Sequence, residues 1–526
     1  MPARTLSVLL IVGVWGQCAP HATAAESLAT RVDAAIEAKA KADGVLLAGV
    51  ASDAEFLRRV YLDLADTIPT SATTKAFLAD TAPNKRAALI DQLLASADYA
   101  PRLADWLNVA LMERLGDSPE WAKYLRAAFS ANKPYDVMVR EILRADARDT
   151  ANAGAAFWLA KRLENYGQQA VEYSALTRDV GRLFLGKNFQ CCECHDHLFI
   201  DEYKQQDFQG LHAFFKNTYL AKPGVVGEKL TAEKLGFASV FTKVQMATAP
   251  ALPGAAMLEI PPFGKGMEFS TPPDKKTNDP GVLKFSTLAA VAEQLPTAKN
   301  KDFTRNAVNR LWFAVMGRGL VHPLDLHHGG NPASHPELLA LLADEFAAHK
   351  FDIKWLLREL ALTKTYQRSS LSPAGNAMSE PKYFAIAIEK RLTTEQLLLA
   401  TLRATGTDPK AADTLRPKFL KAFANQAREP EDEVTPSLKA ALFLLHDPSV
   451  LDMMKAKPGN LVERAAKLSD AEAVEELYLA VLSRKPTVDE KTLVAKVLAR
   501  HPDSRTEAVG RIVWALLASM EFGVNH

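Results

Sequence analysis

Phe56-Leu57-Arg58-Arg59-Val60-Tyr61-Leu62-Asp63-Leu64, closed by Ile68-Pro69-Thr70, is the stretch that decides the fold. Phe56, Val60, Leu62 and Leu64 make an amphipathic helical run. Pro69 ends it, because a proline pushes the residue before it out of helical geometry. Thr70 or Ser71 can cap a second helix, which carries Phe77 and Leu78. From Pro83 onward Arg86, Leu89, Ile90, Leu93 and Leu94 recur at spacings of three and four, and Trp106, Leu107, Leu111 and Leu115 continue the pattern. Asn132-Lys133-Pro134-Tyr135-Asp136 reads as a turn, with Asp136 capping Val137 to Leu143. A further helix runs through Leu176, Val180, Leu183 and Phe184 and stops at Gly186.

Beyond residue 220 the character changes. Prolines and glycines recur to residue 280, with short β-like pieces at Ser239 to Val244 and Met257 to Ile260. Helical periodicity then returns in Asn306 to Val315, Glu337 to Ala348, Ile353 to Leu362, Thr394 to Arg403, Leu438 to Leu445, Ala471 to Ser483 and Ile512 to Met520. The expected fold is mainly α: a multi-helical two-domain protein with a small Pro/Gly-rich, partly β insert between the helical halves. The expected boundaries are 50–220, 221–280 and 281–526, after a leader at 1–25. A chain of 526 residues is long enough for two or three cores.

The leader reading rests on Arg4, an apolar run from Leu6 to Trp15 that is too short to span a bilayer, and small residues at Ala22-Thr23-Ala24. It places the mature protein in the periplasm or outside the cell, with no integral membrane segment after cleavage. With 63 basic and 62 acidic residues the net charge is +1, which gives no reason to expect nucleic acid as a partner.

Of the 4 cysteines, Cys18 falls in the leader. The other three crowd into Cys191-Cys192-Glu193-Cys194-His195, a concentration that points to a local chemical site. Cys-x-x-Cys-His is the attachment pattern of covalent haem c: two cysteines three apart meet the two vinyl groups, and the adjacent histidine supplies the proximal iron ligand. Cys191, Cys194 and His195 take those roles, and Cys192 stands outside them. Phe184, Leu185, Phe189, Leu198, Phe199, Phe208, Phe214 and Phe215 are available to wall an apolar pocket. His212 is the first candidate for a sixth ligand. Met246, His327, His328 and His335 follow if the two halves close over the site. Three other readings stay open: a Cys191–Cys194 disulfide, a zinc site that uses His197 together with the cysteines and His195, and a remnant that binds nothing.

The sequence resembles the secreted planctomycete proteins that pair a cytochrome-c-like domain with a C-terminal planctomycete domain of unknown function. The resemblance is carried by the Phe56–Leu64 run with Ile68-Pro69-Thr70, Lys85-Arg86 with Leu89-Ile90-Asp91, Asn132 to Asp136, and Phe184-Leu185-Gly186 leading to Cys191, Cys194 and His195-Asp196-His197. In the second half it is carried by Val308 to Trp312, Gly317-Arg318-Gly319-Leu320-Val321, Ser334 to Leu339, and Thr365-Tyr366-Gln367. Two departures stand out: Leu198 where the family has proline, and Leu326-His327 where it continues with an acidic residue after Asp325. The family's biochemical role is poorly defined; the expectation of an electron-transfer or redox role in the cell envelope, with a redox protein as partner, rests on the haem-attachment motif in an exported chain. The alternative is a non-haem binding or scaffold protein with a structural or zinc-bound Cys/His cluster. Asp325, His327, His328 and His335 form a second polar constellation. Its functional reading is a metal site or acid–base group; the favoured reading is structural, with Ser334 or His335 capping the helix after Pro336 and Arg310, Arg318 and Asp325 pairing to hold the loop. No recognisable hydrolase nucleophile motif is present.

Overall fold

The computed structural model describes residues 26–165, 169–373, 379–429 and 438–526; the expected leader lies outside them. The described residues form 22 α-helices and four two-stranded antiparallel sheets, so the protein is mainly α. None of these helices is long and apolar enough to cross a membrane.

The helical pattern opens earlier than the sequence suggests, with Leu28–Ala42. Its buried stripe of Leu28, Val32, Ile36 and Ala40 repeats every four residues, but alanines scattered through the rest mute the contrast. The deciding stretch forms the helix Asp53–Ala65, started by Ser52, whose hydroxyl accepts the Glu55 N–H. It is not amphipathic in the expected sense: every residue from Phe56 to Ala65 is buried, Arg58, Arg59 and Asp63 included. Thr70 caps the next helix, Ser71–Ala79. Asp136 is not a cap. The helix Tyr135–Arg144 begins two residues earlier than expected, after Pro134, and Asp136 sits in its first turn, paired with Arg140.

The buried charges of Asp53–Ala65 explain its position. Arg58 donates to the carbonyls of Val481 and Phe522 (3.3 and 2.7 Å), and Arg59 to those of Tyr366 and Arg368 (2.5 and 2.8 Å). Asp63 accepts from the Tyr366 hydroxyl (2.8 Å), Lys390 Nζ (2.6 Å) and Asn525 Nδ2 (2.8 Å). A helix near the beginning of the chain is therefore the post to which its far end is tied. A strand pair, Lys390–Arg391 with Val524–Asn525, closes the same junction.

Packing groups the helices differently from their order in the chain. One continuous core runs from Leu28 to Phe384 and takes in residues on both sides of the insert. A second core joins Leu392 to Phe522 with Leu62 and Ile68. Between residues 218 and 283 lie three short hairpins. The expected strand Ser239 to Val244 is the connection between strands Leu235–Ala238 and Gln245–Thr248. Its apolar residues Val240, Phe241 and Val244 are exposed, not paired into a sheet. Met257 to Ile260 also forms no strand.

Candidate functional site: the cysteine turn and the charged cleft

The helix Tyr173–Leu185 delivers the chain to the cysteines and ends at Gly186, whose φ of +69° is left-handed. Glycine is required there twice over, because a Cβ would stand 2.7 Å from the His327 ring. Residues 186–188 are then pinned by the second-half loop: the His327 N–H donates to the Gly186 carbonyl (3.0 Å) and the Asn188 N–H to the Asp325 carbonyl (2.9 Å). Phe189 plugs into the core against Tyr203. Cys191–Glu193 then makes a single 3-10 turn.

That turn sorts the three thiols. Cys192 points inward and is fully buried, and burial pushes its thiol up to about 12, so it stays protonated and inert. Cys191 and Cys194 point outward; all three are free thiols. Behind the turn the Glu193 carbonyl accepts from Gln205 and Gln209 on the helix Gln205–Phe215 (3.4 and 3.0 Å), while its carboxylate pairs with Arg178 at 2.6 Å. In front, the Val240 N–H donates to the Cys194 carbonyl (3.0 Å).

His195 is half-buried, with its ring 4.6 Å from that of Phe241. Its Nδ1 lies 2.6 Å from the Asp196 carbonyl, which can only accept. The proton therefore sits on Nδ1 and the Nε2 lone pair is free, the arrangement in which a backbone carbonyl on one ring nitrogen orients the other toward a metal. His197 has the opposite arrangement. Its Nδ1 accepts the N–H groups of Phe199 and Ile200 (3.2 and 3.1 Å), which makes it the organiser of the following turn. His212, on the helix behind, is stacked on Phe208 and hydrogen-bonded through Nδ1 to Thr177 (3.0 Å); burial, then Lys216, lowers its pKa. No contact among the described residues joins it to His195. Met246 stands in the hairpin that touches Cys194, paired in register with Phe237 and 37% exposed.

The expected apolar wall divides in two. Phe184, Leu185, Phe189, Phe208, Phe214 and Phe215 are buried in the main core. Leu198 and Phe199 are exposed and, with Val240, Phe241 and Val244, flank the motif on the surface. Among the described residues no three His, Cys, Asp or Glu side chains gather as a metal site.

Two family models match the chain. Residues 31–219 match PSCyt2, described as a protein of unknown function (DUF1549), and residues 289–413 match PSD1, described as a protein of unknown function (DUF1553). The chain is thus similar to one family in its first part and to another in its second. No curated protein and no solved structure matches it.

The second-half loop is structural around its histidines. His327 is largely buried, within 3.3 Å of Asn309 Nδ2, and burial followed by Arg310 holds its pKa at about 4. His335 is the residue at the N-cap of Pro336–Ala348, but its side chain makes no capping bond. It bonds Ser334 instead, and burial lowers it to about 4. His328 Nδ1 accepts the Gly330 N–H, and its ring meets Tyr203 edge-on. Asp325 pairs with Arg310 and with Arg182 (3.2 Å). Arg318 does not join that pairing.

A cleft of about 510 Å³ opens at the junction of the two helical halves and the C-terminal strand. Asp63, Asp66, Arg102 and Trp106 line it from one side, and Arg310, Phe313, Arg318, Lys390 and Asn525 from the other. The sequence reading assigned no role to Asp63, Asp66 or Arg102. The available signal was a set of charges embedded in a run too apolar to leave them in water. Asp66 ends the helix Asp53–Ala65 in left-handed geometry, 3.2 Å from Arg102. Burial outweighs that arginine and pushes its carboxyl up to about 7.

Proposed function

We propose that the protein is an exported c-type haem protein with an electron-transfer or redox role in the cell envelope. The observation that carries this reading is the disposition of the turn: two free, exposed thiols at the attachment spacing, beside an imidazole whose Nδ1 is anchored to backbone and whose Nε2 is free. Cys191 and Cys194 would hold the two thioethers and His195 Nε2 the iron. The exposed Leu198, Phe199 and Phe241 offer apolar surface to the macrocycle. Haem bound there supplies one-electron chemistry, with its potential set by the axial ligands and by exposure. Asp196 fixes the tautomer of His195, and Gln205, Gln209 and Arg178 hold the turn from behind. Met246 is the sixth-ligand candidate whose hairpin already bonds the motif.

The test is expression of the mature chain in a periplasm equipped for haem attachment. The expected result is haem staining on a denaturing gel and a Soret band, both lost in Cys191→Ala/Cys194→Ala. Absence of both from the unaltered chain overturns the reading. About one zinc per chain in that colourless protein would establish the structural metal alternative.

A further inference from the structure

The charged cleft has the composition of a binding site once its internal pairs are accounted for. Asp63 is paired with Lys390 (2.6 Å), Glu113 with Arg182 through both oxygens (2.5 and 2.6 Å), Asp325 with Arg310, and Glu395 with Arg114 (2.6 Å). These pairs neutralise the walls and hold them rigid. Glu389 and Arg391, exposed on the same cleft, form no ion pair among the described residues; the buried and half-buried remainder is specific. Asp66 is 2% exposed, and neither of its carboxylate oxygens has a hydrogen-bond partner despite the neighbouring arginine. Asn525 is equally buried and its Oδ1 also lacks a donor. Buried acceptors are ordinarily satisfied, and exceptions ask for a reason. Arg318, half-buried on the same cleft, has no ion pair or side-chain hydrogen bond among the described residues. Trp106 and Phe313, both partly exposed, add aromatic surface. The volume lies in the range of small-molecule sites.

Orphan acceptors call for hydroxyl or amine donors, an unpaired arginine calls for an anion, and aromatic surface suits the C–H faces of a ring. We propose that the cleft binds a small polyhydroxylated organic anion of sugar-acid type, with hydroxyls donating to Asp66 and Asn525 and the carboxylate on Arg318. This site is separate from the cysteine turn and does not depend on what the turn binds.

The experiment is titration calorimetry of the full mature chain with D-galacturonate, with D-galactose as the uncharged probe and acetate as the bare carboxylate. Galacturonate is expected to bind about ten-fold or more tighter than either. Arg318→Gln should bring galacturonate down to the galactose level and leave galactose unchanged, whereas Asp66→Asn should weaken both sugars. Asp66→Asn is checked by circular dichroism; if it does not fold, Arg318→Gln, at a half-exposed position, decides. No galacturonate binding up to about 10 mM, equal binding of acetate, or binding indifferent to Arg318→Gln overturns the proposal.

Discussion

The cysteine turn and the helix Asp53–Ala65 both carry reactive groups in a short stretch of chain, yet they are built in opposite ways. The turn is local: its geometry comes from a glycine stop, a 3-10 turn and bonds to the next helix, and its reactive groups face outward. The helix is global: its charges are buried, and apart from the Arg59–Glu55 pair their partners lie more than 300 residues further along the chain. A local site can lose its reactive groups and keep its fold. A global one cannot, since each buried charge is left without its partner.

The sharpest test of this contrast is Asp63→Ala. It strips the acceptor from Lys390, Tyr366 and Asn525 at once, and an uncompensated buried charge costs about 3–5 kcal/mol. Denaturant unfolding of the mature chain should show this as a lowered midpoint; a loss under about 1 kcal/mol would break the comparison.

Asp66 gives the next effect. Below about pH 4 its carboxyl is protonated in both the folded and the unfolded chain and costs nothing. Between about 4 and 7 the unfolded chain releases the proton while the folded one keeps it, so stability falls; above about 7 the penalty is constant. Asp66→Asn abolishes that slope. Its stability relative to the unaltered protein should therefore be higher at pH 8 than at pH 4, by roughly 1–4 kcal/mol, read from urea midpoints at the two pH values. Equal differences at both would mean that Asp66 ionises normally. A stability gain at a residue needed for binding is the usual trade-off at functional sites.

Within the turn itself the neighbouring cysteines should part company. Cys192→Ser puts a hydroxyl into an apolar core and should cost about 1–3 kcal/mol with haem staining retained. Cys191→Ser and Cys194→Ser, both exposed, should stay within about 0.5 kcal/mol while each impairs attachment. The reverse pattern would mean that the inward thiol is the functional one.

Much of the helical framework was legible. Ile353–Leu362 begins and ends where the periodicity puts it, the Thr70 cap forms, and Gly186 stops its helix. Errors came where one signal served two purposes. Val240, Phe241 and Val244 read as a strand because they are apolar, but they form an exposed connection against Cys194. The phenylalanines around the motif read as a pocket, yet six of the eight apolar positions fill the core, because composition does not distinguish a wall from a filling. Of the two arginines expected to pair with Asp325, Arg310 does, whereas Arg318, nearer in the chain, does not.

By itself the sequence determined the helices, the stops between them and the order Cys-x-x-Cys-His, all set by neighbours within a few residues, where periodicity, caps and turn chemistry act. Tertiary structure alone decided which thiol is buried, which histidine keeps a free nitrogen, and that Asp63, Asp66, Arg318 and Asn525 share one cleft. Those outcomes depend on desolvation and on partners brought from distant parts of the chain, and neither is encoded in local spacing.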